Sequence, residues 1–423
     1  MKIVSADEAV SVIESGQQVY LQCAAAAPTV LLEALCRRAP LLQDVKVVHL
    51  HMEGPHPHLA PEMAGHLYHK ALFIGPEARA AINDGRAEFV PVQLSDVPAL
   101  MESGLLPLDA VFANMTPPDE HGFCSLGTSV EAMQTAICNA KIVIAQFNKS
   151  MPRTHGDSFV HVNDVDLAVE VDQPPYTYHL PEPSPIERRI GEYVADLIPD
   201  EATLQMGIGA IPAAVGMCLE GKKHIGVHTE MFTDPLVELV EKGVVDCSAK
   251  TLDRHKVVAA FLMGSPRLYK WVDQNPMLEL RGVDYTNDTA TIRKQRRMMA
   301  VNSAIEVDLT GQVCADSLGH KIYSGVGGQM DFVRGASLAP EGRAIIALPS
   351  TTADGKVSRI TWELYDGAGV TVTRSSVRTI VTEYGVAELF GQGVRERAKR
   401  LIAIAHPDFR DELTAYAKKY HEL

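Results

Sequence analysis

Short apolar runs, each stopped by glycine, proline or a polar cluster, recur along this chain and alternate with segments whose apolar residues fall at helical spacing. In the first 170 residues the runs at 18–22, 45–50, 71–74, 87–90, 110–113 and 141–145 predict strands. Segments 7–14, 29–37 and 77–84, and a stretch from about Val130, predict helices, the first opened by Ser5 and the second by Pro28. Strands recur at 203–206, 224–228, 256–262, 299–301, 343–348, 369–373 and 379–382, and 302–313 reads as strand, Thr-Gly turn, strand. Helices are predicted at 186–198, at 211–219, from Pro235, from Glu383 and from Arg395. Such alternation predicts an α/β protein with mostly parallel sheets. Five prolines between Val171 and Pro185 mark a linker, which divides the chain into an N-terminal unit at 1–185 and a C-terminal unit at 186–423.

One segment concentrates chemistry. The run 203–206 stops at Gly207-Ile208-Gly209, a proline-led helix follows, and a second strand ends at Glu230. In a βαβ crossover both strands run the same way, so the glycine turn and Glu230 fall at one carboxyl edge, where open α/β sheets bind ligands. The same spacing also fits a tight turn beside a helix-capping acid. A second cluster, Gly325, Gly327 and Gly328, marks backbone that must approach something closely. Glu383, which also precedes a glycine, is the competing carboxylate.

Composition narrows the partners. With 423 residues and a formal net charge of −14, the chain does not suit nucleic acid or an anionic membrane as its main partner. Its N-terminus lacks a signal-peptide core, no apolar run approaches a membrane span, and the seven cysteines are scattered without metal or redox spacing. A reduced, cytoplasmic protein is the expectation. Histidines 49, 51, 56, 58, 66 and 69 crowd a proline-rich segment. No cysteine or tight acid cluster joins them, so no metal is expected, and a non-catalytic metal-binding protein is the remote alternative. A dinucleotide-dependent oxidoreductase lacks the third glycine after Gly209.

A carboxylate can attack an activated acyl group, and backbone N–H groups held in a glycine turn stabilise the resulting oxyanion. Four motifs join that chemistry to a family: Gly-Ile-Gly-Ala-Ile-Pro at 207–212, His-Thr-Glu-Met-Phe at 228–232, Asn-Ser-Ala-Ile-Glu-Val-Asp-Leu-Thr-Gly-Gln at 302–312 and Gly-Val-Gly-Gly-Gln-Met-Asp-Phe at 325–332. Together with Phe-Cys-Ser-Leu-Gly-Thr-Ser-Val at 123–130 and Glu-Tyr-Gly-Val-Ala-Glu-Leu at 383–389, they resemble the acetyl-CoA hydrolase/transferase family over nearly the whole chain. The resemblance implies two CoA-transferase-type α/β domains with the active site between them. It implies ping-pong exchange of CoA between a short-chain acyl-CoA (acetyl-, butyryl- or 4-hydroxybutyryl-CoA) and a carboxylate acceptor. Glu230 would be the nucleophile, forming an acyl-glutamyl anhydride and then a glutamyl-CoA thioester.

By the same carry-over Asn302 orients Glu230, and Gly207, Ile208, Gly209, Gly325, Gly327 and Gly328 form the oxyanion and CoA-binding turns. No permanently bound cofactor is implied, coenzyme A and acyl-CoA being substrates, and a homodimer or higher homo-oligomer is expected. An acyl-CoA hydrolase is the alternative activity. The resemblance departs at 23–28, where Cys-Ala-Ala-Ala-Ala-Pro stands in place of a histidine and a Gly-Glu-Pro run, giving a smaller, more apolar lining.

Overall fold

Two parallel sheets dominate the structure, a computed structural model that describes residues 1–207 and 209–421. The first has eight strands in the order Lys2–Ile3, Leu167–Val171, Ile142–Asn148, Ala110–Met115, Gln18–Leu21, Val45–His49, Leu67–Ala71 and Ala87–Phe89. Every pairing in it is parallel. A parallel sheet is covered on both faces, which is why Ala110–Met115 is buried at every position.

The second sheet has six strands, ordered Gly226–Val227, Thr203–Met206, Met298–Ser303, Arg343–Ala347, Thr379–Thr382 and Gly385–Glu388. Only its last pairing is antiparallel. The expected βαβ unit is present: Thr203–Met206, helix Ala210–Met217, then Gly226–Val227 in parallel register. Between 171 and 203, helix Pro185–Leu197 starts on a full capping box, Ser184 accepting from Glu187 N–H while the Glu187 carboxylate accepts from Ser184 N–H.

The halves are knitted together. His155–Gly156 of the first half adds to the parallel ladder of Leu278–Leu280 and Val257–Ala259. Beneath them one apolar cluster runs from Tyr20 and Val111 through Leu262 to Leu204 and Val301. The proline-rich segment is a strap: Tyr176 N–H donates to Ala25 O at 3.2 Å and Tyr178 N–H to Gly264 O at 3.0 Å.

Several expected elements differ. The strand placed at 71–74 is Leu67–Ala71, because the alternation Leu67, His69, Ala71 faces inward and hides among polar neighbours. The run 256–262 is two short strands in different sheets. Segment 369–373 contributes only an isolated bridge from Val372 to Val313. The helix expected from Glu383 is instead strand Gly385–Glu388, the return arm of a hairpin on Thr379–Thr382. Strand Leu167–Val171 and helix Gln329–Leu338 were not expected from the pattern. No helix among the described residues is long and apolar enough to cross a membrane.

Candidate active site

Glu230 emerges between strands Gly226–Val227 and Met231–Phe232, where the main chain leaves one sheet for another. Its carbonyl accepts from the N–H groups of Ala260 (2.7 Å) and Phe261 (2.9 Å), so the backbone beneath the side chain is fixed. The side chain projects into a cavity of about 220 Å³ between the two halves. Cys23, Ala24, Leu50 and Phe73 line it from the first half, and Met206, Gly207, Asn302 and residues 324–329 from the second.

The glycine cluster forms the wall against Glu230. Residues 325–328 run into helix Gln329–Leu338, so the helix's positive N-terminal end faces the carboxylate, and the Gly328 amide is close enough to pull its pKa down. A Cβ at Gly328 would overlap both Glu230 Oε2 and Asn287 Nδ2, so only glycine fits. Gly327 adopts a φ of +55°, and a Cβ at Gly325 would stand 2.9 Å from the Phe73 ring.

The first half holds this loop. Leu94 N–H donates to Gly327 O at 3.0 Å, and Ser95 donates to Asp331 through its N–H (3.2 Å) and hydroxyl (2.8 Å).

Asn287 is the amide that holds Glu230: its Nδ2 donates to Glu230 Oε2 at 2.6 Å and to Asp331 Oδ2 at 3.2 Å. Asn302, expected to orient Glu230, lines the same cavity and exchanges side-chain bonds with Gln205 at 3.1 and 3.2 Å. Asn287 follows the short helix Val283–Thr286 in a segment that reads as an ordinary turn. Its full burial, which only the fold reveals, is the signal the sequence withheld.

The remaining predicted residues divide. Gly207 lines the cavity, but its N–H is spent on Val301 O at 3.0 Å. Gly209, with a φ of +112°, is the N-cap of helix Ala210–Met217. Ile208 lies outside the described residues. Glu383 is occupied elsewhere, accepting from the Ser350 N–H (2.9 Å) and hydroxyl (2.6 Å), and is absent from the cavity wall.

Burial pushes Glu230 up to about 7; the Asn287 amide and Gly328 N–H pull it down, and the Asp331 carboxylate raises it further. Asp331 is itself pushed up to about 6 by burial, against hydrogen bonds from Ser95 and Asn287. Asn287 thus bridges two carboxyls that resist ionising together. The arrangement suits a carboxylate nucleophile: weakly solvated, oriented by one amide, and set against backbone donors where an oxyanion would form.

Of the histidine-rich segment, His49, His58 and His69 cluster away from this cavity, their nitrogens within 4.8 Å of one another. The rings of His49 and His69 stack at 4.3 Å with planes 28° apart. Stacked imidazoles cannot both carry one ion in their ring planes at the 2.0–2.1 Å that zinc requires. His49 and His69 each direct Nδ1 at a main-chain carbonyl, of Leu50 and Val47. Burial holds all three well below the usual imidazole range, and so neutral.

Two α/β halves closing on one carboxylate give a fold of the CoA-transferase type. The crystal structure of 4-hydroxybutyrate CoA-transferase from Porphyromonas gingivalis superposes with a TM-score of 0.86 at 38% identity, covering 99% of this chain and 97% of that one. The acetyl-CoA hydrolase/transferase N-terminal domain matches residues 1–177 and the C-terminal domain of the same name residues 264–417. The chain belongs to the acetyl-CoA hydrolase/transferase family. It is 46% identical to 4-hydroxybutyrate coenzyme A transferase of Clostridium kluyveri, over 99% of this chain and 97% of that protein. To butyryl-CoA:acetate CoA-transferase of Anaerostipes caccae it is 35% identical, over 99% of this chain and 96% of that protein.

Proposed function

We propose that this enzyme, a CoA-transferase, moves CoA between a short-chain acyl-CoA and a carboxylate acceptor through covalent intermediates on Glu230. The observation that carries the reading is the seat of Glu230: an oriented, poorly solvated carboxylate facing the glycine loop across a cavity deep enough for an acyl group. The ionised Glu230 attacks the thioester carbonyl carbon, the C–S bond breaks, and CoA thiolate leaves an acyl-glutamyl anhydride. The thiolate then attacks the glutamyl carbonyl carbon and releases the acyl group as a carboxylate, leaving glutamyl-CoA. An incoming carboxylate runs the two steps in reverse. One thioester replaces another, so the exchange is near balance.

Each step forms an oxyanion, and the Gly328 N–H at the helix end is placed to serve the one on the glutamyl carbon; removing such a donor typically costs about 3–4 kcal/mol. Asn287 keeps the carboxylate turned toward the cavity, and Asp331, clamped by Ser95, keeps Asn287 in place. The cavity wall from Leu50, Phe73 and Phe261 is apolar, a surface that disfavours water and so favours transfer over hydrolysis.

The test is intact-protein mass spectrometry after acyl-CoA is added without acceptor. The wild type gains the mass of CoA less water, on the peptide containing Glu230, and loses it to hydroxylamine; Glu230→Gln gains nothing and turns over at least 10³-fold more slowly by the nucleophile argument. An adduct on Glu383, or full turnover by the Gln variant, would sink the assignment. CoA release that is independent of added carboxylate would instead favour hydrolysis.

A further inference from the structure

The motif that carries Glu230 also holds a histidine that the transfer steps leave unused. His228 is fully buried, and the main chain around it is locked: its N–H donates to Leu204 O at 2.9 Å and Thr229 N–H donates to Val258 O at 3.0 Å. The ring reaches from this strand end to the turn that delivers Asn287, where Nε2 lies 2.9 Å from Thr286 O. A carbonyl only accepts, so Nε2 carries the proton and donates. Nδ1 is left as a bare lone pair, buried with no partner among the described residues.

Thr286 closes the short helix Val283–Thr286, whose last carbonyls have no partner within the helix, and no other donor to Thr286 O occurs among the described residues. The Thr286 hydroxyl donates to Asn287 Oδ1 at 2.9 Å, which turns the amide nitrogen toward Glu230 and Asp331. The imidazole also meets Phe332 edge to face with centroids 6.3 Å apart, and Phe332 N–H donates to Gly328 O at 3.1 Å. One buried ring thus touches the strand of Glu230, the turn of Asn287 and the helix behind the glycine loop. Burial and the Lys250 ammonium push His228 down to about 3, so it stays neutral wherever Glu230 ionises. An apolar side chain of the same size would fill the space but leave Thr286 O buried and unpaired.

We propose that His228 is a positioning residue: by binding the Thr286 carbonyl it fixes how far the Asn287 turn stands from the strand end, and so keeps the Asn287 amide on the Glu230 carboxylate. Between residues 226–230 and 283–287, the only hydrogen bonds among the described residues are this one and Asn287–Glu230 itself. Without the first, the second must hold the turn as well as the carboxylate. His228 is absent from the cavity wall, so it acts through Asn287 and not on substrate. The consequence for turnover rests on Glu230 being the nucleophile; the hold on Asn287 does not.

Three variants separate the bond from the bulk. His228→Gln carries its amide nitrogen about as far out as Nε2 and still donates to Thr286 O; His228→Asn carries one only as far as Nδ1, and His228→Leu carries none. Each is followed by kcat and KM for acyl-CoA across pH, and by infrared difference titration of the Glu230 carboxyl, its band assigned by its loss in Glu230→Gln. In His228→Asn and His228→Leu, kcat should fall about 10–100-fold with KM within a few-fold of wild type. The rate limb and the infrared midpoint should both move up by about one pH unit, because the Asn287 bond that pulls the carboxyl down is loosened. His228→Gln, the variant expected to fold most like wild type, should keep the wild-type midpoint and a kcat within about fivefold. A space-filling ring would cost folded protein and move neither midpoint. An unmoved midpoint in His228→Asn or His228→Leu, or a raised one in folded His228→Gln, overturns the proposal. The infrared midpoint needs no turnover: if it moves as expected while Glu230→Gln still transfers CoA, the positioning role stands and the nucleophile assignment falls.

Discussion

As the proposed nucleophile, Glu230 would act only when ionised, and its surroundings make ionisation late. Burial outweighs the Asn287 and Gly328 hydrogen bonds and holds the carboxyl near 7, so the ionised fraction grows as pH rises through that value. The acyl-transfer rate at low acyl-CoA should therefore climb about tenfold per unit below pH 6 and level off above about 8. Because Asp331 titrates near 6 across the same amide, the measured limb belongs to the pair, and Asp331→Asn should shift it downward. Gly328 allows a sharper test. Its missing side chain is space that Glu230 and Asn287 occupy, so Gly328→Ala should displace the carboxylate and lower kcat at least 100-fold, with circular dichroism unchanged. A variant with normal kcat would show that the loop does not hold the nucleophile.

Among the elements, the glycine loop and helix Gln329–Leu338 depend on a neighbour from the other half. Strand-like contacts at Gln93 and Leu94 seat the loop, and Ser95 seats the helix's first turn through Asp331. Ser95→Ala removes the hydroxyl bond but keeps the N–H bond, so stability should fall by about 1–2 kcal/mol in denaturant unfolding. Turnover should fall further than that loss of stability explains, since Asp331 then leaves Asn287 free to turn. Unchanged kcat in Ser95→Ala would mean that Asn287 is held by Glu230 and the Thr286 hydroxyl without the Ser95 clamp. This clamp joins residues 236 apart in sequence, so no local pattern announces it.

Across the whole molecule, buried acids and buried histidines set opposite pH dependences. Burial pushes Glu131, Glu230 and Glu306 up to about 7, well above their unfolded values. Between about 4.5 and 7 the folded chain therefore binds more protons than the unfolded one, and stability falls as pH rises through that window. His69 at about 4 and His228 at about 3 act the other way, lending stability that grows with pH up to about 6.5. Above about pH 6.5 the histidine gain levels off and buried Lys250, pushed down to about 8, adds stability as pH rises further, so the acids' share of the pH dependence is read against a variant lacking one of them. The Tm of Glu306→Gln, which lies outside the cavity wall, should rise relative to wild type between about pH 5 and 8, without changing the pH–rate limb. A difference between Glu306→Gln and wild type that does not grow with pH would contradict the buried-acid account.

The sequence by itself determined what depends on neighbours along the chain. The parallel α/β pattern, the turn–helix–strand unit ending at Glu230 and the need for bare backbone at 325–328 follow from apolar runs, proline-led helix starts and glycine spacing. The tertiary structure decided what depends on distant segments meeting. Asn287 reaches Glu230 because a buried turn from one segment meets the strand end of another, while Asn302 pairs with Gln205. Glu131 entered the cavity wall because Ala260 and Val283 carry it there. Glu383 left the contest because Ser350 had already taken its oxygens. Hydrophobic periodicity fixes where the chain turns and which face goes inward, whereas hydrogen bonds between segments far apart in sequence leave no trace in either.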